Sequence, residues 1–162
     1  ALDCCRSAPR YRWSATRTLE RVREQIRGVG AAAGDAALAS IGPLRSITVA
    51  GRTTGGRPTR YRIEHGEAGT NAAVEIDAEG LPRILRSRQR PGEDPVHSGF
   101  LEPTVDAGRG TVDFLGRGFG HGAGLCQYGA EALAERGLPA GLIIAAYYPG
   151  ADLTRAWPGG VA

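Results

Sequence analysis

"RSITVAGRTTGGRPTRYRIEH", residues 45–65, repeats its chemistry every second residue on both sides of a loop. Ile47 and Val49 alternate with smaller or polar neighbours in "RSITVAG", and Tyr61 and Ile63 alternate with arginines in "TRYRIEH". A period of two is that of a half-buried strand, whose side chains leave opposite faces in turn. The intervening "RTTGGRPT" supplies Gly55, Gly56 and Pro58, chemistry suited to a loop between antiparallel strands. A third strand, "AAVEID", alternates Val74 and Ile76. The expected centre of the fold is an antiparallel sheet.

Working outward, Thr18 is placed to cap a helix through about Arg27, with Leu19, Val22 and Ile26 on one face and Gly28 as its stop. "GVGAAAGDAALASIGP" is poor in large apolar groups and predicts only a short helix around Asp35 to Ser40 inside a connector. "LPRILRSRQRPGEDP" reads as a short apolar segment followed by a polar loop, with Arg86, Arg88 and Arg90 on a solvated rim. "GTVDFLG" is a further strand with Val112 and Phe114 inward. "CQYGAEALAERG" predicts a helix ending at Gly137, and Pro139 suits the first turn of a second helix, "PAGLIIAAYY", closed by Pro149 and Gly150. The sum is an α+β chain, an antiparallel sheet with short helices at both ends, forming a single domain or a large part of one.

The chain has 162 residues, enough for one core. It contains no methionine, even at position 1, which is expected of a processed product or an excised segment. All 20 basic residues are arginine, and with 17 acidic residues the formal charge is +3. This balance permits an anionic wall polymer as partner and gives little support to nucleic acid. No apolar run is long enough to span a bilayer and no signal peptide opens the chain, so an export signal or a membrane anchor would lie upstream. The three cysteines, Cys4, Cys5 and Cys126, cannot form a disulfide framework on their own, and adjacent cysteines seldom bridge each other.

"GRGFGHGAGLCQYG", residues 116–129, places glycine at 116, 118, 120, 122 and 124. A dinucleotide fingerprint would require glycine at residue 121, 123, 125 or 127, which are His121, Ala123, Leu125 and Gln127, and a phosphate loop would require a lysine. Read as an extended segment, the spacing strips one face to bare backbone, able to take a flat ligand or a sugar chain rich in hydroxyls and acetamides. The alternative on spacing alone is a tightly packed or bulged strand with no ligand. His121, Cys126, Gln127 and Tyr128 gather polar or reactive groups where strand hands over to helix.

At these residues the chain resembles the SpoIID/LytB family. "GRGFGHGAGLCQYGAEALAERGLPAGLIIAAYYPGADL", residues 116–153, is similar to that family's C-terminal signature: a Gly-His-Gly run, Gln-Tyr-Gly-Ala, an alanine-rich helix, a glycine, and a helix ending Tyr-Tyr-Pro-Gly. More loosely, "SAPRYRWSATRTLERVREQI" resembles its aromatic, tryptophan-bearing segment preceding a helix, and residues 42–65 resemble its paired strands. The resemblance covers the C-terminal half of such a domain and makes residues 1–162 that portion.

The resemblance implies a peptidoglycan lytic transglycosylase that cuts peptide-free glycan strands between muramic acid and glucosamine units and leaves a 1,6-anhydro end. It implies an extracytoplasmic, cell-envelope location, and, through the LytB type, an N-acetylmuramoyl-L-alanine amidase as partner. Such a reaction needs one carboxylic acid to protonate the leaving oxygen. The family's glutamate lies in a segment that nothing here matches, so the catalytic residue is unassigned and is expected immediately before Ala1; no cofactor or metal is expected. Glu102, Glu131 and Glu135 match no catalytic position. The glycan-contacting residues expected from the resemblance are Gly120, His121, Gly122, Gly124, Cys126, Gln127 and Tyr128, with Cys126 replacing a common serine. Weighed against this are a module that binds wall or activates an amidase without the acid, and a basic nucleic-acid binder. Weaker still are a Cys126 nucleophile activated by His121 and a zinc site from Cys4, Cys5, Cys126 and His121. Tyr147 and Tyr148 read as core and loop-closing residues more than as sugar platforms.

Overall fold

The computed structural model describes residues 6–69 and 72–154. Within them the elements run β1 (Arg12–Thr18), α1 (Leu19–Ala33), α2 (Ala36–Ala39), β2 (Leu44–Arg52), β3 (Pro58–His65), β4 (Ala72–Asp77), α3 (Gly80–Ser87), β5 (Leu101–Asp106), β6 (Thr111–Arg117), α4 (Gln127–Glu135) and α5 (Ala140–Tyr147). The described residues divide into two compact units, one spanning Pro9–Gly122 and the other containing residues 6–8 and 123–154. The α+β class and the antiparallel pairing hold. In place of one sheet there are two three-stranded sheets, ordered β1-β6-β5 and β2-β3-β4, and α3 sits between strands in the chain rather than at an end.

In the Pro9–Gly122 unit the period-two reading is directly visible. Ile47, Tyr61, Ile63 and Ile76 are buried with Val112 and Phe114 in one apolar cluster. Tyr61 is fully enclosed, its hydroxyl held between the carbonyls of Gly99 and Leu101; burial pushes its ionisation far above the usual phenol range. Helix α1 begins where expected, the Thr18 hydroxyl accepting from the Arg21 amide, and buries Val22 and Ile26. It runs past Gly28 to Gly34. Gly30 is a packing residue, because a Cβ there would come within 2.5 Å of the Ala39 amide nitrogen in α2. Helix α2 falls inside the connector with Asp35 as its cap.

Strand β1 pairs with β6 over its full length, Arg12 opposite Arg117, Ala15 opposite Phe114 and Thr18 opposite Thr111. Trp13, opposite Gly116, lies on that glycine: a Cβ at 116 would fall inside the indole ring. Arg17 and Arg21 point into a region closed by the loop after α3. Arg21 Nε bonds Glu93 at 2.6 Å, its Nη2 reaches the Arg88 carbonyl, and Arg17 donates to the Asp94 carbonyl while lying 3.7 Å from Glu93. Arg88 and Arg90 therefore belong to a loop anchored by buried arginines as well as being exposed themselves.

In the second unit α4 and α5 are in contact and joined through Gly137 and Pro139, with Ile143 their most enclosed large side chain. The Tyr148 hydroxyl accepts from the Leu125 amide at 3.1 Å, which closes the segment leading into α4. The expectation that Tyr148 closes a loop holds on this bond.

Gly116→Ala is expected to lower stability by about 1–3 kcal/mol, the usual range for overpacking, and to shift Trp13 emission as the indole is displaced; unchanged emission and melting would contradict the stacked contact. Glu93 is held below the usual carboxylate range by its hydrogen bond from Arg21. Its contribution is present above the unfolded carboxylate pKa of about 4.3 and is lost as pH falls through the lower folded value. Melting curves from pH 6 to about pH 3 should fall more steeply for the wild type than for Glu93→Gln, which starts lower; parallel curves would remove Glu93 from the account.

Candidate functional site

The glycine stretch begins as strand and then leaves it. Gly116 belongs to β6, but Gly118, Gly120, Gly122 and Gly124 have φ of 68°, 81°, 71° and 105°, and no other residue type among the described residues has positive φ. The backbone therefore reverses the sign of φ at every second residue instead of running extended. At Gly118 and Gly120 a Cβ would meet nothing within 4 Å, so space is not what requires glycine there. The left-handed backbone is, since it costs an L-residue about 1–2 kcal/mol. The single bare strand face expected from the spacing is absent for this reason.

The loop is pinned from several directions. Trp13 Nε1 donates to the Gly118 carbonyl at 3.0 Å, and the Gly118 amide donates to Tyr11. The Gly120 amide donates to the His97 carbonyl at 2.9 Å, and Ser98 Oγ to the Arg117 carbonyl at 2.7 Å. Arg57 bridges Glu79 Oε1 at 3.0 Å and the His121 carbonyl at 2.7 Å, and a Cβ on Gly122 would run into its guanidinium. Several backbone groups that an extended strand would offer to a sugar are thus already used. What faces outward is side chain: Phe119 is 74% exposed, and His121 is exposed beside it in sequence.

Aromatic and cationic groups surround this loop. His97 meets Trp13 edge-on at 5.6 Å and Phe119 at 6.0 Å, and the Arg10 guanidinium lies 5.4 Å from the Phe119 centroid. Burial, then Arg10 and Arg86, hold His97 below the usual histidine range and favour the neutral ring. Arg57 and Arg117 lie 5.8 Å and 5.1 Å from the Phe100 centroid.

Of the expected contact residues, Gly120, His121 and Gly122 are in this unit. Gly124, Cys126, Gln127 and Tyr128 are in the other, where Cys126 caps α4 with its backbone and Gln127 and Tyr128 open that helix exposed to solvent. Glu131 and Glu135 are solvent-facing on α4, lining with Ser7, Tyr128 and Ala132 a shallow depression of about 270 Å³. Glu102 is bound by both nitrogens of Arg52 at 2.7 Å and 2.8 Å, and these bonds hold it below the usual carboxylate range. A carboxyl kept ionised is a poor proton donor. Cys4 and Cys5 lie outside the described residues.

Two residues that shape the loop were not singled out by sequence. Trp13 could have been found from its place opposite Gly116 had β1 been recognised; Arg57 sits in a turn where no local pattern marks a contact 64 residues away.

Among curated proteins the chain is similar to "Stage II sporulation protein D" of Bacillus amyloliquefaciens, 45% identical over 47 residues, 29% of this chain and 14% of that protein. It is also similar to "Amidase enhancer" of Bacillus subtilis (strain 168), 54% identical over 63 residues, 39% of this chain and 9% of that protein. The chain therefore spans about a tenth of the length of these relatives, and the SpoIID-like relationship read from the sequence is supported at that coarse level. The family described as "Domain of unknown function (DUF8618)" matches residues 5–124, about three quarters of the sequence, and the chain belongs to that family.

Proposed function

We propose that this chain is the glycan-binding portion of a SpoIID-like peptidoglycan-processing protein, acting on peptide-free strands in the cell envelope. The carrying observation is the 116–128 segment. Its sequence resembles the SpoIID/LytB signature, and its fixed left-handed turns present Phe119 and His121 outward while Trp13 and Arg57 hold the backbone. A strand sugar offers an apolar ring face and hydrogen-bonding hydroxyls, which suit an exposed aromatic ring and an imidazole. The proton donor for transglycosylation is assigned to a glutamate outside these 162 residues, and residues 1–162 are proposed as the C-terminal portion of the domain that contains it. Gln127 and Tyr128 are proposed as further polar contacts from the start of α4.

A second reading, an amidase-activating module, is favoured by the name of the second relative. It is distinguished by adding an N-acetylmuramoyl-L-alanine amidase and measuring stem-peptide release with and without this chain.

Incubation of the purified chain with peptide-free glycan strands, followed by sedimentation and mass spectrometry, should show strands retained and uncut. Anhydromuramoyl products would place an acid within these residues, and absence of retention by a folded chain would defeat the reading. His121→Ala should weaken retention by about five- to tenfold, the value of one or so lost hydrogen bonds, with the melting temperature nearly unchanged. Gly120→Ala should instead lower stability by about 1–2 kcal/mol through its left-handed backbone; the reverse ranking in melting temperature would contradict the roles given to these neighbours.

A further inference from the structure

The outer face of the β1-β6-β5 sheet contains an arrangement that the glycine loop does not explain. Arg12 and Arg117 are direct cross-strand partners and both are exposed. Like charges placed opposite each other on one sheet face destabilise the pairing. Among the described residues neither has a carboxylate within ion-pair reach, and the same holds for Arg10, Arg27, Arg83, Arg86 and Arg88. The neighbouring carboxylate, Glu102, is bound through both oxygens by Arg52 and also feels the charge of Arg117, so the surplus of charge around it is positive.

The guanidiniums are also held in place. Arg12 lies 3.9 Å from the centroid of Tyr11 and donates to the Tyr11 carbonyl and hydroxyl, while Arg117 lies 5.1 Å from that of Phe100. Ring stacking fixes the guanidinium plane and leaves donors at its edge for a planar acceptor. Between them is a depression of about 260 Å³ lined by Arg12, Trp13, Glu102, Leu115, Gly116 and Arg117, with Leu115 59% exposed. Two fixed cations beside Trp13 and Leu115, with Glu102 at the edge held by Arg52, match a ring-shaped ligand that carries a carboxylate on a short arm.

We infer that the Arg12–Arg117 pair is a subsite for the lactyl carboxylate of a muramoyl unit, with the sugar ring lying toward Leu115. The inference rests on the glycan-binding reading and deepens it: the pair reads the charge that a muramoyl unit has only when no peptide is attached. A strand whose carboxyls are amides keeps its sugars and loses that charge.

The test uses the whole chain and measures binding to peptide-free glycan strands, to the same strands with their muramoyl carboxyls converted to amides, and to an oligodeoxythymidylate. The wild type should bind the free-carboxyl strands at least about tenfold more tightly than the amidated ones, as expected when a hydrogen bond to a charged acceptor is lost. The double variant Arg12→Gln/Arg117→Gln should bind both at the amidated level, with a melting temperature equal to or above that of the wild type because a repulsion has been removed. Equal wild-type binding to free and amidated strands overturns the subsite and leaves the glycan reading intact, as does a double variant that keeps the preference. A lower melting temperature in the variant marks the pair as structural and also overturns it. Binding to neither strand overturns both readings, and tighter binding to the oligonucleotide overturns them in favour of nucleic acid.

Discussion

The contact on which the rest of this chain depends is the Trp13 indole lying flat against Gly116. Nothing larger than hydrogen at position 116 leaves room for the ring, and the ring in turn fixes the exit of β6 by bonding the Gly118 carbonyl. An apolar packing interaction and a hydrogen bond are delivered by one side chain at the point where regular strand becomes loop. The first turn of the glycine segment is therefore determined by the fold rather than by the loop's own preferences.

A second set of forces reaches the same loop from the far side of the unit. Arg17 and Arg21, inward from β1 and α1, tie down Glu93 and the carbonyls of Arg88 and Asp94. The chain that follows carries His97 and Ser98, whose carbonyl and hydroxyl bond Gly120 and Arg117. Partly buried charge pairs are worth more than surface ones because water screens them less, at the cost of desolvating each partner. Here the pairing orders an otherwise polar segment and places two of its residues at the loop.

Strands β2, β3, β4 and β6 were legible because each buries apolar residues at alternate positions, and Thr18 was legible as a cap because a capping side chain acts within three residues of its own position. Strand β1 was not legible: its inward positions include Arg17, and a buried arginine breaks the apolar alternation that marks a strand. Strand β5 contains Pro103, which argues against a central strand but is accommodated at the edge, where β5 lies. Gly28 resembled a helix stop because local chemistry cannot tell a terminating glycine from one that lets another segment approach. In the glycine segment the spacing was legible and the backbone form was not. Glycine at every second residue suits an extended face and an alternating left-handed path equally well, and only contacts from Trp13, His97 and Arg57 select the second.

That path separates two kinds of position along one short segment. Gly118, Gly120 and Gly122 carry the curvature, and Phe119 and His121 carry the exposed side chains, in strict alternation. Because the trajectory is written in the glycines and their anchors, the side chains between them can drift without the loop refolding. A lineage could exchange the ring at 119 or the imidazole at 121 and so alter the surface the loop offers, while the same backbone is inherited unchanged.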